Sequence, residues 1–314
     1  MKSFGGILLL NYRYLLLAAL IVAASVTIND PAQNFINVVT LQAPYVLIYT
    51  FGMTVVLLTG GLDLSLGSVA ALSTCIGAML IIQDQIFLGI IVTLAIGAGI
   101  GLLNGFFVTT MKVPSFITTY GMDWVVRGLV YIIMGGTIIH GLSPGFRNIA
   151  TGSLFGISNL LYIAIVVFLI MFFLFNKTTF GRNVYMIGSN QRAAKLTGVN
   201  TGKTVMLVYM SSGVLAALAG MLYVARLDAA ESYLGRGFGL TALAATLIGG
   251  TALEGGKGGV GNTVVGVLIM VFLINMMNVW KISVLWQDAV FGIVIVASAL
   301  LEKARANYAV KLLK

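Results

Sequence analysis

Long apolar runs alternate with short polar gaps along the whole chain. Runs of about 17–22 residues, the length an α-helix needs to cross roughly 30 Å of hydrocarbon, fall at 8–28, 38–59, 87–108, 115–134, 159–175, 204–225, 263–279 and 284–301, with shorter ones at 68–82 and 240–253. Ten crossing helices are therefore expected. The run at 8–28 leads on without a small-residue cleavage site, so it reads as the first span and not as a signal peptide. Two glycine clusters interrupt the pattern: GGLDLSLGS at 60–68 and GGTALEGGKGGVG at 249–261. Both open on L-x-G-G-x-x-L, from Leu58 to Leu64 and from Leu247 to Leu253. A shared pattern at corresponding places suggests two pseudo-repeated halves with broken helices beside a transport path. The expected fold class is all-α, a polytopic membrane protein with one transmembrane domain over residues 1–314.

Composition agrees with this reading. Of 314 residues, 59% are hydrophobic and 9% charged, with mean hydropathy +1.04, against about a quarter charged in soluble domains. A net charge of +9 would point to nucleic acid if it lay on a soluble face, but the basic residues sit in the gaps between apolar runs, where they orient a membrane protein. With the N-terminus inside, ten crossings return the C-terminus inside. Lys2, Arg13, Lys112, Lys177, Arg182, Arg192, Lys195, Lys203, Lys257, Lys303, Arg305, Lys311 and Lys314 then face the cytoplasm, 13 of the 18 basic residues. Arg147, Arg226, Arg236 and Lys281 fall outside, with Asp30, Asp84, Asp228 and Glu231, and Arg127 falls within a span. This is the positive-inside arrangement. No gap is large enough for an ATPase or a separate ligand-binding module. The single Cys75 and single His140 exclude a disulfide framework and leave no metal-ligand cluster, so both are read as structural. No His, Cys or carboxylate cluster offers a basis for catalysis either.

The largest polar gap, 176–203, is also the most basic: GRNVYMIGSNQRAAKLTGVNTGK at 181–203 follows Lys177. Within it Ser189 or Asn190 can cap a short helix over 191–197, and Gly198 supplies a left-handed stop. Such a helix is about two turns, roughly 12 Å. Ala193, Ala194 and Leu196 are expected to form a low-relief face suited to a groove on another protein, with Arg192 and Lys195 pointing elsewhere. A solvated loop that only sets orientation is the alternative.

Other motifs carry less. KGGVGNT at 257–263 has the glycines of a phosphate loop, but Asn262 stands at its lysine position and membrane spans flank it, so a glycine-rich turn is the better account. Asp123 and Arg127 lie four apart on one helical face and can pair. Asp63 can cap the third span or face a pathway. So few buried charges suit a path for a neutral solute better than an ion-coupled pump.

GGLDLSLGSVAALS at 60–73, GRNVYMIGSNQRAAKLTGVN at 181–200 and LAATLIGGTALEGGKGGVGNTVVG at 243–266 together resemble the permeases of bacterial ribose-type ABC importers. The resemblance covers nearly the whole chain. It implies a type II-like all-helical permease in the bacterial cytoplasmic membrane that works as a homodimer or heterodimer, imports a neutral monosaccharide and binds no cofactor. Cytoplasmic ATP-binding subunits, which carry ATP and Mg, and a periplasmic or lipid-tethered solute-binding protein are the implied partners. The signature of an alanine pair with a glycine four residues on matches Ala193, Ala194 and Gly198, which assigns Asn190, Gln191, Arg192, Ala193, Ala194, Lys195, Leu196 and Gly198 to the contact with the ATPase. Path-lining candidates are Asp63, Ser65, Ser68, Thr246, Thr251 and Asn275. Two departures stand out: Gly239, Leu240 and Thr241 replace the usual Glu-Leu-Asp, and Arg192 replaces a common acidic residue. Related permeases carry nucleosides or branched-chain amino acids, and a self-sufficient secondary transporter or channel is a rival of another class.

Overall fold

The computed structural model describes residues 4–312; Lys2 and Lys314 of the orientation argument lie outside them, as do the side chains of Lys303, Arg305 and Lys311. The helices are α1 (Phe4–Thr27), α2 (Pro31–Asn37), α3 (Ala43–Leu58), α4 (Leu66–Ile81), α5 (Ile86–Thr109), α6 (Ser115–Met134) and α7 (Pro144–Thr151). They continue as α8 (Asn159–Lys177), α9 (Thr179–Ser189), α10 (Gln191–Leu196), α11 (Thr201–Leu227), α12 (Phe238–Ile248), α13 (Val260–Val279) and α14 (Val284–Leu312). A π-helical turn, Val38–Gln42, joins α2 to α3, and Arg226 at the end of α11 donates to the Leu41 carbonyl at 2.8 Å. Among the described residues five helices are long and apolar enough to cross a membrane: Pro31–Leu58, Ile86–Thr109, Asn159–Lys177, Thr201–Leu227 and Val260–Val279. Shorter apolar helices lie at Asn11–Thr27, Leu66–Ile81, Phe238–Ile248 and Leu285–Leu301.

The bundle is built around α11, which packs on α3, α4 and, most extensively, α5. Small residues permit this closeness. A Cβ on Gly97 would come within 2.5 Å of the Gly213 carbonyl, and one on Gly101 within 2.3 Å of the Tyr209 carbonyl, whereas Gly99 faces open space.

Both glycine clusters break helices, and they use the same stop. Gly60 donates to Leu57 and Gly61 to Val56; Gly250 donates to Leu247 and Thr251 to Thr246. Each is a Schellman closure around a glycine with positive φ, +80° at Gly60 and +91° at Gly250. The stop falls on the first glycine of the pair in one copy and on the second in the other, so the shared sequence pattern is one residue out of register with the shared structure. The run at 240–253, expected as a span, becomes α12 of 11 residues, about 16 Å or half the hydrocarbon thickness; Leu253 lies in the break beyond it.

Short elements close the bundle end opposite α10. Strand β1 (Ile139–His140) pairs with β4 (Ala229–Ala230), β2 (Ser153–Leu154) pairs with β3 (Ile157–Ser158), and Asp228 accepts from the Leu142 amide at 2.8 Å and lies 3.3 Å from Arg147. His140 is held there by the Asp228 carbonyl at 2.9 Å, and Cys75 is buried in the core.

Candidate functional site

The basic island folds as two helices, not one. Thr178 caps α9 by accepting from the Gly181 amide, and Gly181, Val184 and Ile187 are its buried side. The spacing Val184, Ile187 carried that signal in the sequence. Asn190 is the cap of α10, accepting from the Ala193 amide at 3.0 Å, while Ser189 ends α9. Gly198, with φ +86°, closes α10 as expected: its amide donates to Lys195 and the Val199 amide to Ala194.

The exposed face of α10 differs from the one expected. Ala194 is 1% exposed and packs into the protein, whereas Leu196 is 84% exposed. At 100° per residue, the side opposite Ala194 is centred on Arg192 and Leu196, with Ala193 and Lys195 flanking it. Ala193, Ala194 and Leu196 therefore do not share a face, and a bulky residue at Ala194 disrupts packing beneath the helix, not the surface above it.

Backbones from three distant segments meet just before this helix. The Gly256 amide donates to the Leu58 carbonyl at 3.0 Å, so the second break is tied to the end of α3. Gly188, one turn before α10, fits against both: a Cβ there would lie 1.9 Å from the Leu58 carbonyl oxygen and 2.4 Å from the Gly256 nitrogen. Gly255 likewise abuts the Gly60 nitrogen. Tyr185 of α9 completes the contact by donating to the Gly258 carbonyl at 3.1 Å, and burial pushes its phenol pKa upward. The α9–α10 element is thus seated on both helix breaks at once. The segment 257–259 belongs to this seat and follows a helix, in keeping with a turn and not a phosphate loop.

The first break is stitched by side chains. Asp63, 1% exposed, accepts from the Ser65 amide at 3.1 Å, the Ser65 hydroxyl at 2.6 Å and the Ser212 hydroxyl at 2.7 Å. Asn104 donates to Ser65 at 2.9 Å, Tyr209 to the Leu62 carbonyl at 3.1 Å, and Ser68 to the Ser65 carbonyl at 3.0 Å. Asp63 therefore binds the amide of the residue preceding α4 and also anchors the loop to α11. Asp63→Ala strands two buried hydroxyl groups at about 1–3 kcal/mol each and is expected to lower the folded yield sharply. Asp63→Asn keeps the shape and is expected to retain most of it; equal yields of both variants in detergent-solubilised membranes would contradict the stitching role.

The other path candidates also sit in packed interior. Thr246 lies 3.2 Å from Thr54, which lies 2.8 Å from Thr263. Thr251 and Asn275 are buried, with Thr251 Oγ1 and Asn275 Oδ1 unpartnered among the described residues. None of the six candidates lines either of two cavities that flank the first break. One, of about 580 Å³, meets the break at Gly60 and Gly61 and carries Lys112, Arg192 and Lys195. The other, of about 270 Å³, meets it at Leu64 and Gly67 and lies between α6, the 233–237 loop and the start of α12. Gly239 and Leu240, where the expected acidic motif is missing, line this second cavity. Asp123 and Arg127 both line it too but do not pair: Arg127 donates instead to the carbonyls of Ser232 at 2.8 Å and Leu234 at 2.7 Å. Those loop carbonyls need donors more than the carboxylate beside open space does.

Broken helices seated on a short, capped, outward-facing helix, within a bundle of membrane-length apolar helices, define a multi-pass transport protein. Over residues 34–299 the chain matches the family described as branched-chain amino acid transport system / permease component. It is 34% identical over 302 residues to the ribose import permease protein of Escherichia coli (strain K12), covering 92% of this chain and 93% of the relative. It is 35% identical over 309 residues to the ribose import permease protein of Bacillus subtilis (strain 168), covering 96% and 95%. The galactose/methyl galactoside import permease protein of Escherichia coli (strain K12) is 32% identical over 310 residues, covering 91% and 92%. No solved structure matches the chain. The chain belongs to this permease family and is a transport subunit, not an enzyme.

Proposed function

We propose that the chain is the permease subunit of an ATP-driven importer for a neutral, ribose-like monosaccharide in a bacterial cytoplasmic membrane. The observation that carries the mechanism is the seat of α9–α10 on both helix breaks through Gly188, Gly60, Gly255 and Gly256. A push on α10 by an ATP-binding subunit reaches the two breaks directly, without passing through a flexible loop. Asn190 to Leu196 and Gly198 form this input, with Arg192 and Leu196 at its surface. The substrate class is supported by the similarity to import permeases for ribose and galactose.

Ten crossings complete the topology: the five long helices, α6, the four shorter apolar helices, with α12 and the loop before it counted as one. The termini are cytoplasmic in this reading. Supporting it, Lys112, Arg192 and Lys195 share the cavity at the α10 end, while Arg147 and Asp228 pair at the other. The translocation path runs past the first break between the two cavities. Asp63, Ser65 and Ser68 stand one layer behind it in this conformation, and Thr246 and Thr251 back the second break, so they reach the path when the breaks open, whereas Asn275 is buried far along α13 from that break and joins the path only through movement of α13 itself. A second permease protomer and a solute-binding protein complete the assembly.

Reconstitution tests this. Co-expressed with its ATP-binding and solute-binding partners in proteoliposomes, the permease is expected to take up D-ribose or a similar sugar only with ATP. Flux through the permease alone without ATP would identify a secondary transporter or channel, and uptake of leucine or a nucleoside in place of sugar would change the substrate class.

A further inference from the structure

The cavity beside α6 has chemistry that the coupling mechanism leaves unused. Tyr120, Trp124 and Tyr131 face it from one side of α6, and Tyr233 faces it from the opposing loop. The rings stand edge to face, Tyr120 to Trp124 with centroids 6.3 Å apart and Tyr131 to Tyr233 at 5.9 Å. Trp124 is 64% exposed. Among the lining residues Asp123 is the only carboxylate, and it makes no hydrogen bond within the described residues and no ion pair within 4 Å. The Arg127 guanidinium is bonded to loop carbonyls, whereas Arg236 is exposed at the rim. Aromatic walls that carry tyrosine hydroxyl groups, with an unbonded carboxylate at Asp123 and an exposed guanidinium at Arg236, suit a ligand that has an apolar C–H face and hydroxyl groups around its edge.

We infer that this cavity is a monosaccharide-recognition site of the permease itself, with Trp124 as the stacking surface and Asp123 as the acceptor for sugar hydroxyl groups. The inference rests on the importer reading above and adds that selection continues after the solute arrives at the membrane. Its floor gives the site a second consequence. Gly67 and Gly235 touch backbone to backbone there, a Cβ on Gly67 falling 2.1 Å from the Gly235 carbonyl oxygen. A sugar in the cavity therefore rests on the first helix break, the element that the coupling helix moves from the other side.

The chain has three tryptophans, Trp124, Trp280 and Trp286, which makes the site directly observable. In lipid nanodiscs, the Trp280→Phe/Trp286→Phe protein is expected to show a saturable fluorescence change with D-ribose, D-allose or D-galactose. Adding Asp123→Asn is expected to weaken that binding at least about tenfold, the loss of a hydrogen bond to a charged acceptor. Should the double variant fail to fold, the difference between wild type and Trp124→Phe isolates the same signal. No saturable change with any of the three sugars, in protein that still imports one of them with its partners, overturns the site and leaves the importer reading standing. A response to L-leucine or adenosine but not to sugars overturns the assigned ligand class. Failure of the assembled wild type to import any monosaccharide overturns the importer reading itself.

Discussion

Gly188→Ala is expected to abolish import and to reduce the amount of folded permease, whereas Gly261→Ala, in the same family of glycine-rich positions, is expected to change neither. The added atom is one methyl group in both cases. At Gly188 it falls 1.9 Å from the Leu58 carbonyl oxygen and 2.4 Å from the Gly256 nitrogen, both backbone atoms that cannot rotate away. Relief requires α9 to lift from the two breaks, and overpacking of this severity costs about 3 kcal/mol or more. At Gly261 nothing lies within 4 Å and φ is ordinary. Gly198→Ala is intermediate: space is open, but φ +86° imposes about 1–2 kcal/mol of backbone strain. Permease level in membranes and ATP-dependent sugar uptake in proteoliposomes distinguish the three. Normal uptake by Gly188→Ala would show that the junction carries no force.

What was readable in the sequence was local. The Asn190 cap and the Gly198 stop were legible because each acts on amides or carbonyls within a few residues of itself. The breaks at 60–68 and 249–261 were legible because their glycines cluster with polar residues and interrupt apolar runs, unlike the spaced glycines of α5, which serve close packing in an unbroken helix. The inward face of α10 was not, since in a six-residue helix the choice between Ala194 and Leu196 is made by what lies beneath, and that is supplied by residues far away in the chain. Arg127 shows the same limit: spacing offers Asp123 as its partner, but it bonds to the carbonyls of Ser232 and Leu234, more than 100 residues on. Spacing leaves Asp63 between a cap and a pathway residue, and its bonds to Ser65 and Ser212 combine a local turn with a contact 149 residues away. The meeting of Gly60, Gly188 and Gly255 could not be read at all, because glycine marks that a close approach occurs without saying to what.

Leu196→Asp is expected to stop ATP-driven import while leaving the permease in the membrane at its normal level. The helix that presents Leu196 is too short to stand alone; it is held by the Asn190 cap, the Gly198 closure and the buried Ala194, none of which involves Leu196. A side chain 84% exposed adds little to folding, so its replacement leaves the fold intact. In the proposed assembly this exposed leucine is covered by the ATP-binding subunit, and burying it there would contribute about 1.5–3 kcal/mol. Aspartate forfeits that and adds an uncompensated charge to the contact. With two permeases in the proposed transporter the loss would be applied twice, on the order of 3–6 kcal/mol, which is more than a hundredfold in assembly or coupling. Ala194→Leu separates the two roles, because it acts beneath the helix and is expected to lower folded yield first. Co-purification of the ATP-binding subunit, sugar uptake and membrane level measured together on both variants distinguish docking from packing. Undiminished uptake by Leu196→Asp would remove α10 as the point where work enters the permease.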